Sequence, residues 1–306
     1  MKKKGISLII VLITILSITA CQRNPAPDIL TNTADDNVKI EDKKEKFSVI
    51  NKEDEYQKIL LRFGHDNNPE PSELFASDNF LDTEKEINLI LNQNHDYIEL
   101  KFQPLHYIGN YTGKKGFAIS EDTINQEINT GLESFISTDL KTMQIGERFF
   151  MNFPLQISKG RTFESKDFII SEENEMVNII LGSNYVNEYN LNDVLNLELA
   201  TKEIKLRIIG FLEKDVTLST RHDNKPLEDI ILNDYIIMPF YDTEYSPNSE
   251  EEKLYQQIWY SLKNEGFIRP NKEETIDKLK KDIDIINKEY DLFFDIVSIP
   301  VSLNLK

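Results

Sequence analysis

Val177-Asn178-Ile179-Ile180-Leu181-Gly182, Val194-Leu195-Asn196-Leu197-Glu198-Leu199 and Ile204-Lys205-Leu206-Arg207-Ile208 decide the reading of this fold. The first is a short apolar run closed by glycine, the pattern of a buried strand. The other two flank a turn at Ala200–Glu203 and alternate apolar with polar residues, as the arms of a hairpin do. Tyr235-Ile236-Ile237-Met238-Pro239 adds another buried strand, ended by a residue that lacks a ladder donor. The stretch from about 145 to 245 is therefore predicted to be strand-rich.

Outward from that stretch the pattern turns mixed. Tyr56, Ile59, Leu60 and Phe63 recur at helical spacing behind Asn51 and ahead of Gly64, so a helix is expected there. A second helix is expected from Asp82–Glu86 onward, with Ile87, Ile90 and Leu91. Tyr97-Ile98-Glu99-Leu100-Lys101-Phe102 alternates as one half-buried strand, and Gly109 to Gly116 reads as a turn. Downstream, Ser249 with Glu252 suggests a capping box before Leu254, Ile258 and Leu262, with Gly266 as the stop. Asn271 with Glu274 opens the clearest helix, whose Ile276, Leu279, Ile283, Ile286 and Tyr290 alternate spacings of three and four. A last strand is expected over Leu292–Ile299. This order implies an α+β fold, with N- and C-terminal parts forming a mixed α/β subdomain around a strand-rich insertion.

Five motifs in the middle stand in a recognisable order. They are Gly160-Arg161-Thr162-Phe163 with Asp167, the strand closing at Gly182, Asn192-Asp193-Val194-Leu195, Ile208-Ile209-Gly210-Phe211-Leu212, and Asp234 leading into Ile236-Ile237-Met238-Pro239. The order and spacing resemble the MacB-type periplasmic core domain, the extracytoplasmic module of FtsX-like ABC transporter permeases. The resemblance covers about 47 to 306. It implies turn and core roles for these residues and catalysis at none of them. Asn192 stands where the family usually has a glycine, a place that asparagine tolerates through its ease with left-handed backbone. Arg161 and Asp167 are placed to pair across a turn. The family carries this module between membrane helices, and no apolar span follows Cys21 here, so the chain resembles that module without its helices.

The N-terminus supplies an alternative attachment. Lys2, Lys3 and Lys4 precede a largely apolar run from Ile6 to Ile18, and Ile18-Thr19-Ala20-Cys21 closes it. Positive start, apolar run and small-residue exit make a secretory signal, and the last four residues resemble the bacterial lipobox. The expectation is a signal peptide at 1–20, cleavage before Cys21, and an acyl lipid of the palmitate kind on its sulfur. Residues 21–46, polar with Pro25, Pro27 and a charged run at Glu41–Glu45, read as a flexible linker. Cys21 is the only cysteine, so the domain at 47–306 relies on burial rather than disulfides; about 260 residues suffice for that. The localisation this implies is the extracytoplasmic face of the cell membrane.

Composition narrows the function. The net charge of −18 repels nucleic acid and bare anionic headgroups. His65, His95, His106 and His222 form no zinc spacing. His95-Asp96 and His222-Asp223 read as solvated loop residues, because neighbours on a strand point to opposite faces. Gly109-Asn110-Tyr111-Thr112-Gly113-Lys114-Lys115 lacks the spacing and the hydroxyl of a phosphate loop. Asp66, Asn68 and Glu70 lack the glycine of an EF-hand, and Pro69 interrupts them. No catalytic, metal or cofactor residues are expected. Met143, Phe149, Phe150, Met151 and Phe153, like Trp259 with Tyr255 and Tyr260, read as core, with a docking patch as the other option. The leading expectation is a non-catalytic accessory protein contacting an ABC transporter permease or another envelope protein. The alternative is a peptide- or ligand-binding surface lipoprotein, which requires a cleft lined by aromatics.

Overall fold

The computed structural model describes residues 55–61, 75–129, 134–172, 175–200, 202–222, 228–269, 276–291 and 294–305. Strand β1 (Glu55–Leu61) precedes helix α1 (Phe80–Asn94) and β2 (Asp96–Ile98). Short strands follow: β3 (Leu100–Lys101), β4 (Leu105–Ile108), β5 (Gln126–Asn129), β6 (Ser134–Leu140) and β7 (Thr142–Ile145), ending at helix α2 (Glu147–Asn152). Then come β8 (Ile157–Gly160), β9 (Ile169–Ile170), β10 (Met176–Leu181), β11 (Val194–Leu199) and β12 (Lys202–Leu212). Beyond them lie β13 (Thr217–His222), β14 (Glu228–Ile231), β15 (Ile236–Pro239), β16 (Asp242–Thr243) and helix α3 (Glu250–Lys263). β17 (Phe267–Arg269), helix α4 (Ile276–Tyr290) and β18 (Phe294–Leu305) close the chain.

The protein is α+β. Six strands form an antiparallel sheet in the order β14-β13-β18-β1-β17-β2. A mixed ten-stranded sheet runs β3-β7-β15-β10-β12-β11-β4-β6-β5, with β8 beside β12. β10 lies parallel to β12 and β15 parallel to β7.

The apolar runs of β10 and β15 are continuous because the middle of the larger sheet is covered on both faces. Successive residues of a strand point to opposite sides. Ile180, Ile209 and Ile237 enter the core that also holds Tyr56, Leu218 and Phe267 of the smaller sheet. Their neighbours Ile179, Leu181, Ile208, Ile236 and Met238 face a second core with Trp259, Tyr255 and Ile258 of α3. On the far side of the smaller sheet, Ile59, Tyr97 and Ile268 meet α1 and α4 through Ile87, Leu91, Leu279 and Ile283. A strand buried on both faces reads as an unbroken hydrophobic run rather than an alternating one.

The same double burial corrects three expectations. Residues 55–61 are strand β1, not a helix. Tyr56 faces the inter-sheet core and Ile59 the helical layer, so apolar residues three apart mimic a helical period. The expected single strand at Tyr97–Phe102 is broken at Glu99. There the chain leaves β2 in the smaller sheet and enters β3 in the larger one. Only Met143 of the Met143–Phe153 cluster lies on a strand. Glu147–Asn152 is helical, with Phe149 buried and Met151 64% exposed. The larger sheet also draws on Leu100–Ile145, upstream of the stretch expected to be strand-rich. Strands β10, β11, β12 and β15, helices α1, α3 and α4, and the burial of Trp259, Tyr255 and Tyr260 match their sequence patterns. Ser249 does cap α3, accepting from the Glu252 N–H at 3.1 Å; the stop is Asn264 rather than Gly266. Cys21, residues 22–46, His65, Asp66, Asn68, Glu70 and the proposed Asn271–Glu274 cap lie outside the described residues.

Candidate functional site

The motif residues are scaffold. Asp167 is buried and gathers four donors: Arg161 Nη1 and Nη2 at 2.6 and 3.1 Å, the Glu164 N–H at 2.8 Å, and Asn178 Nδ2 at 2.7 Å. Burial alone would raise its pKa, but these bonds outweigh it and hold the carboxyl below its ordinary range. Gly160, with φ of 89°, brings its backbone against the Ile209 carbonyl where β8 meets β12, a place no side chain fits. Asn192 does adopt left-handed backbone, with φ of 71°.

Between the two sheets lies a buried ionic junction. Lys263, in the last turn of α3, is 1% exposed. Its ammonium bonds the Asp242 carboxylate and stands 3.8 Å from Glu99 Oε1. Burial disfavours the charge, but the carboxylates of Glu99 and Asp242 outweigh it and raise its pKa. Burial pushes Glu99 up, and Asn88 donates to it at 2.9 Å. Arg148 closes the end of α1, donating to the carbonyls of Asn92 and His95 at 2.7 and 2.5 Å. These groups line a cavity of about 490 Å3. They fasten the crossing at Glu99 to α3 and to the start of β16. His95 is buried here rather than solvated, because α1 ends against α2; Asp96 instead pairs with Arg269 at 2.7 Å.

A second hollow, of about 640 Å3, opens where β4 and β11 meet. Its walls include Tyr107, Tyr111, Phe117, Tyr185 and Tyr189, together with Leu195 and Leu197. Phe117 stacks on Tyr185 at a centroid distance of 3.6 Å, and Tyr107 meets Tyr111 edge-on at 5.5 Å. The expected turn at Gly109–Gly116 builds one wall. Asn125 fixes it by accepting from the Tyr111 N–H at 2.6 Å and donating to the Tyr111 carbonyl at 3.1 Å. Burial pushes the Tyr111 phenol up to about 12, so the ring is neutral in ordinary solution. His106 reaches Asp139 at 2.7 Å. Glu198, half-buried beside it, makes no side-chain hydrogen bond or ion pair with any described residue; burial raises its pKa, with His106 pulling the other way. Sequence reading found neither the groove nor the junction, although the tyrosines of 107–111 and 185–189 were its available signal.

No protein-family model matches the chain, and no curated protein matches it. Among solved structures, the extracellular domain of the noncanonic ABC-type transporter YknZ from Gram-positive bacteria aligns with 79% of this chain and 100% of that one. The TM-score is 0.37 and the identity 12%. Among the described residues no helix is long and apolar enough to cross a membrane.

Proposed function

We propose that this chain is a lipid-anchored accessory protein on the extracytoplasmic face of the cell membrane. It works beside an ABC transporter or a related envelope complex, through protein–protein contacts and without catalysis. The signal at 1–20 directs export, lipid on Cys21 holds the chain, residues 21–46 act as a tether, and 47–306 form the MacB-like domain. The observation that carries the reading is the ordered motif set from Gly160 to Pro239. Its residues do the turn and core work that the resemblance implies, as the bracket of Arg161, Asp167 and Asn178 illustrates. Lipid substitutes for the membrane helices of the permease module. The test is crosslinking in intact cells followed by capture of the protein from solubilised membranes. Recovery of a permease or its ATPase is expected. Capture with no transporter component, under conditions that preserve other envelope complexes, refutes the reading.

A second reading, a surface lipoprotein that captures a peptide or other ligand itself, is favoured by one observation. The aromatic groove at β4 and β11 is the kind of cleft that such a protein needs.

A further inference from the structure

We propose that the seam between β4 and β11 binds a cationic peptide, an extended chain carrying lysine or arginine side chains. The proposal rests on the ligand-capture reading above and names its ligand class.

The backbone gives the first argument. In an antiparallel ladder, alternate residues direct their N–H and C=O to opposite neighbours. The Ile208 N–H donates to the Asp193 carbonyl, so Val194, Asn196 and Glu198 turn their peptide groups away from β12. The Gly109 N–H donates to the Ile136 carbonyl, so His106 and Ile108 turn theirs away from β6. The two sets face one another, yet the strands pair only at Glu198 and His106. Asn196 and Ile108, next along, stand outside the ladder and line the hollow with peptide groups that an extended ligand can use.

Side chains give the second. Tyr107, Tyr111 and Tyr189 supply ring faces, which attract cations. Glu198 contributes a half-buried carboxylate that forms no ion pair with a described residue, His106 opposite it being held by Asp139, and Glu203 stands nearby in the same wall. A chain of net charge −18 repels an acidic ligand and draws in a basic one. An ammonium of the chain's own already sits against two lining residues, Phe117 and Glu188. Lys114 Nζ lies 5.7 Å from the Phe117 ring centre and 2.9 Å from Glu188. A ligand lysine over the tyrosines, directed at Glu198, repeats that arrangement.

The experiment is calorimetric titration of the full chain in detergent with three synthetic peptides of equal length. One alternates lysine with serine, one has glutamine for lysine, and one has glutamate. Only the lysine peptide is expected to bind. Glu198→Gln and, independently, Tyr111→Leu should each weaken it about five- to tenfold. Asp277→Asn, on the exposed face of α4, should leave it unchanged. Equal weakening by Asp277→Asn would mean diffuse attraction and overturn the proposal. Equal binding of the glutamine peptide overturns the cationic assignment while the ligand-capture reading stands. Binding of none of the three overturns the proposal and, with it, capture of an extended peptide at this groove.

Discussion

Glu84 offers the sharpest test of the packing described above. It lies on α1, fully buried against the end of α3. Asn264 Nδ2 donates to its Oε2 at 2.5 Å and to its backbone carbonyl at 2.8 Å. Glu84 Oε1 and the Ser261 hydroxyl are both buried without a hydrogen bond of ordinary geometry. Burial pushes the carboxyl up to about 8, against the pull of the Asn264 bond. The folded chain therefore holds this proton to higher pH than the unfolded chain, whose carboxyl titrates near 4.5. Stability from this site is complete below the unfolded value and is lost as pH climbs toward the folded one. Each pH unit in that window costs about 1.4 kcal/mol, so the full loss between 4.5 and about 8 is roughly 5 kcal/mol. Glu84→Gln keeps the shape and cannot ionise. Urea unfolding at several pH values, followed through the single tryptophan, Trp259, provides the assay. The variant should gain on the parent by roughly 3 to 4 kcal/mol between pH 5 and 8.5. Parallel pH curves for the two proteins would refute the reasoning, since other carboxylates titrate alike in both.

Three further outcomes follow from named contacts. Lys263→Met leaves Glu99 buried without its counter-charge and should cost about 3 kcal/mol in urea unfolding; adding Glu99→Gln should recover part of that loss. Asp167→Asn weakens the bracket that joins Arg161 to Asn178, and should lower stability by about 2 kcal/mol at neutral pH. Because the folded pKa of Asp167 is depressed, its contribution exists above the unfolded value and fades as pH falls through the folded one, so acid unfolding should show the two proteins converging. Cys21→Ala, measured by cell fractionation and domain proteolysis, should yield released or unprocessed protein whose domain still resists protease; a domain that no longer folds would refute the anchoring role.

Much of the framework was legible because it depends on local chemistry. The hairpin of β11 and β12, the closing glycine after β10, the left-handed Asn192 and the capped α3 follow from residues close together in sequence. The pairing of Arg161 with Asp167 is equally local. What failed did so where burial removed the pattern. Tyr56 and Ile59 serve different cores from one strand, and the result resembled a helix. Glu99 sits mid-alternation, and nothing in its neighbours announces a change of sheet. His95-Asp96 looked solvated because sequence does not show that α1 ends against α2 and Arg148.

The α+β class, the central strands and the amphipathic helices could be read from the chain alone. Periodicity and turn chemistry report what a segment does with its own neighbours, and those features need no more. Tertiary structure alone decided the ionic junction, the buried acid at Glu84 and the aromatic groove. Each joins residues far apart in the chain: Glu99 to Lys263, Glu84 to Asn264, Tyr107 to Tyr189. A side chain's charge state and ligand-binding use depend on what surrounds it. That environment exists only once sheet order has brought β4 beside β11 and α1 beside α3.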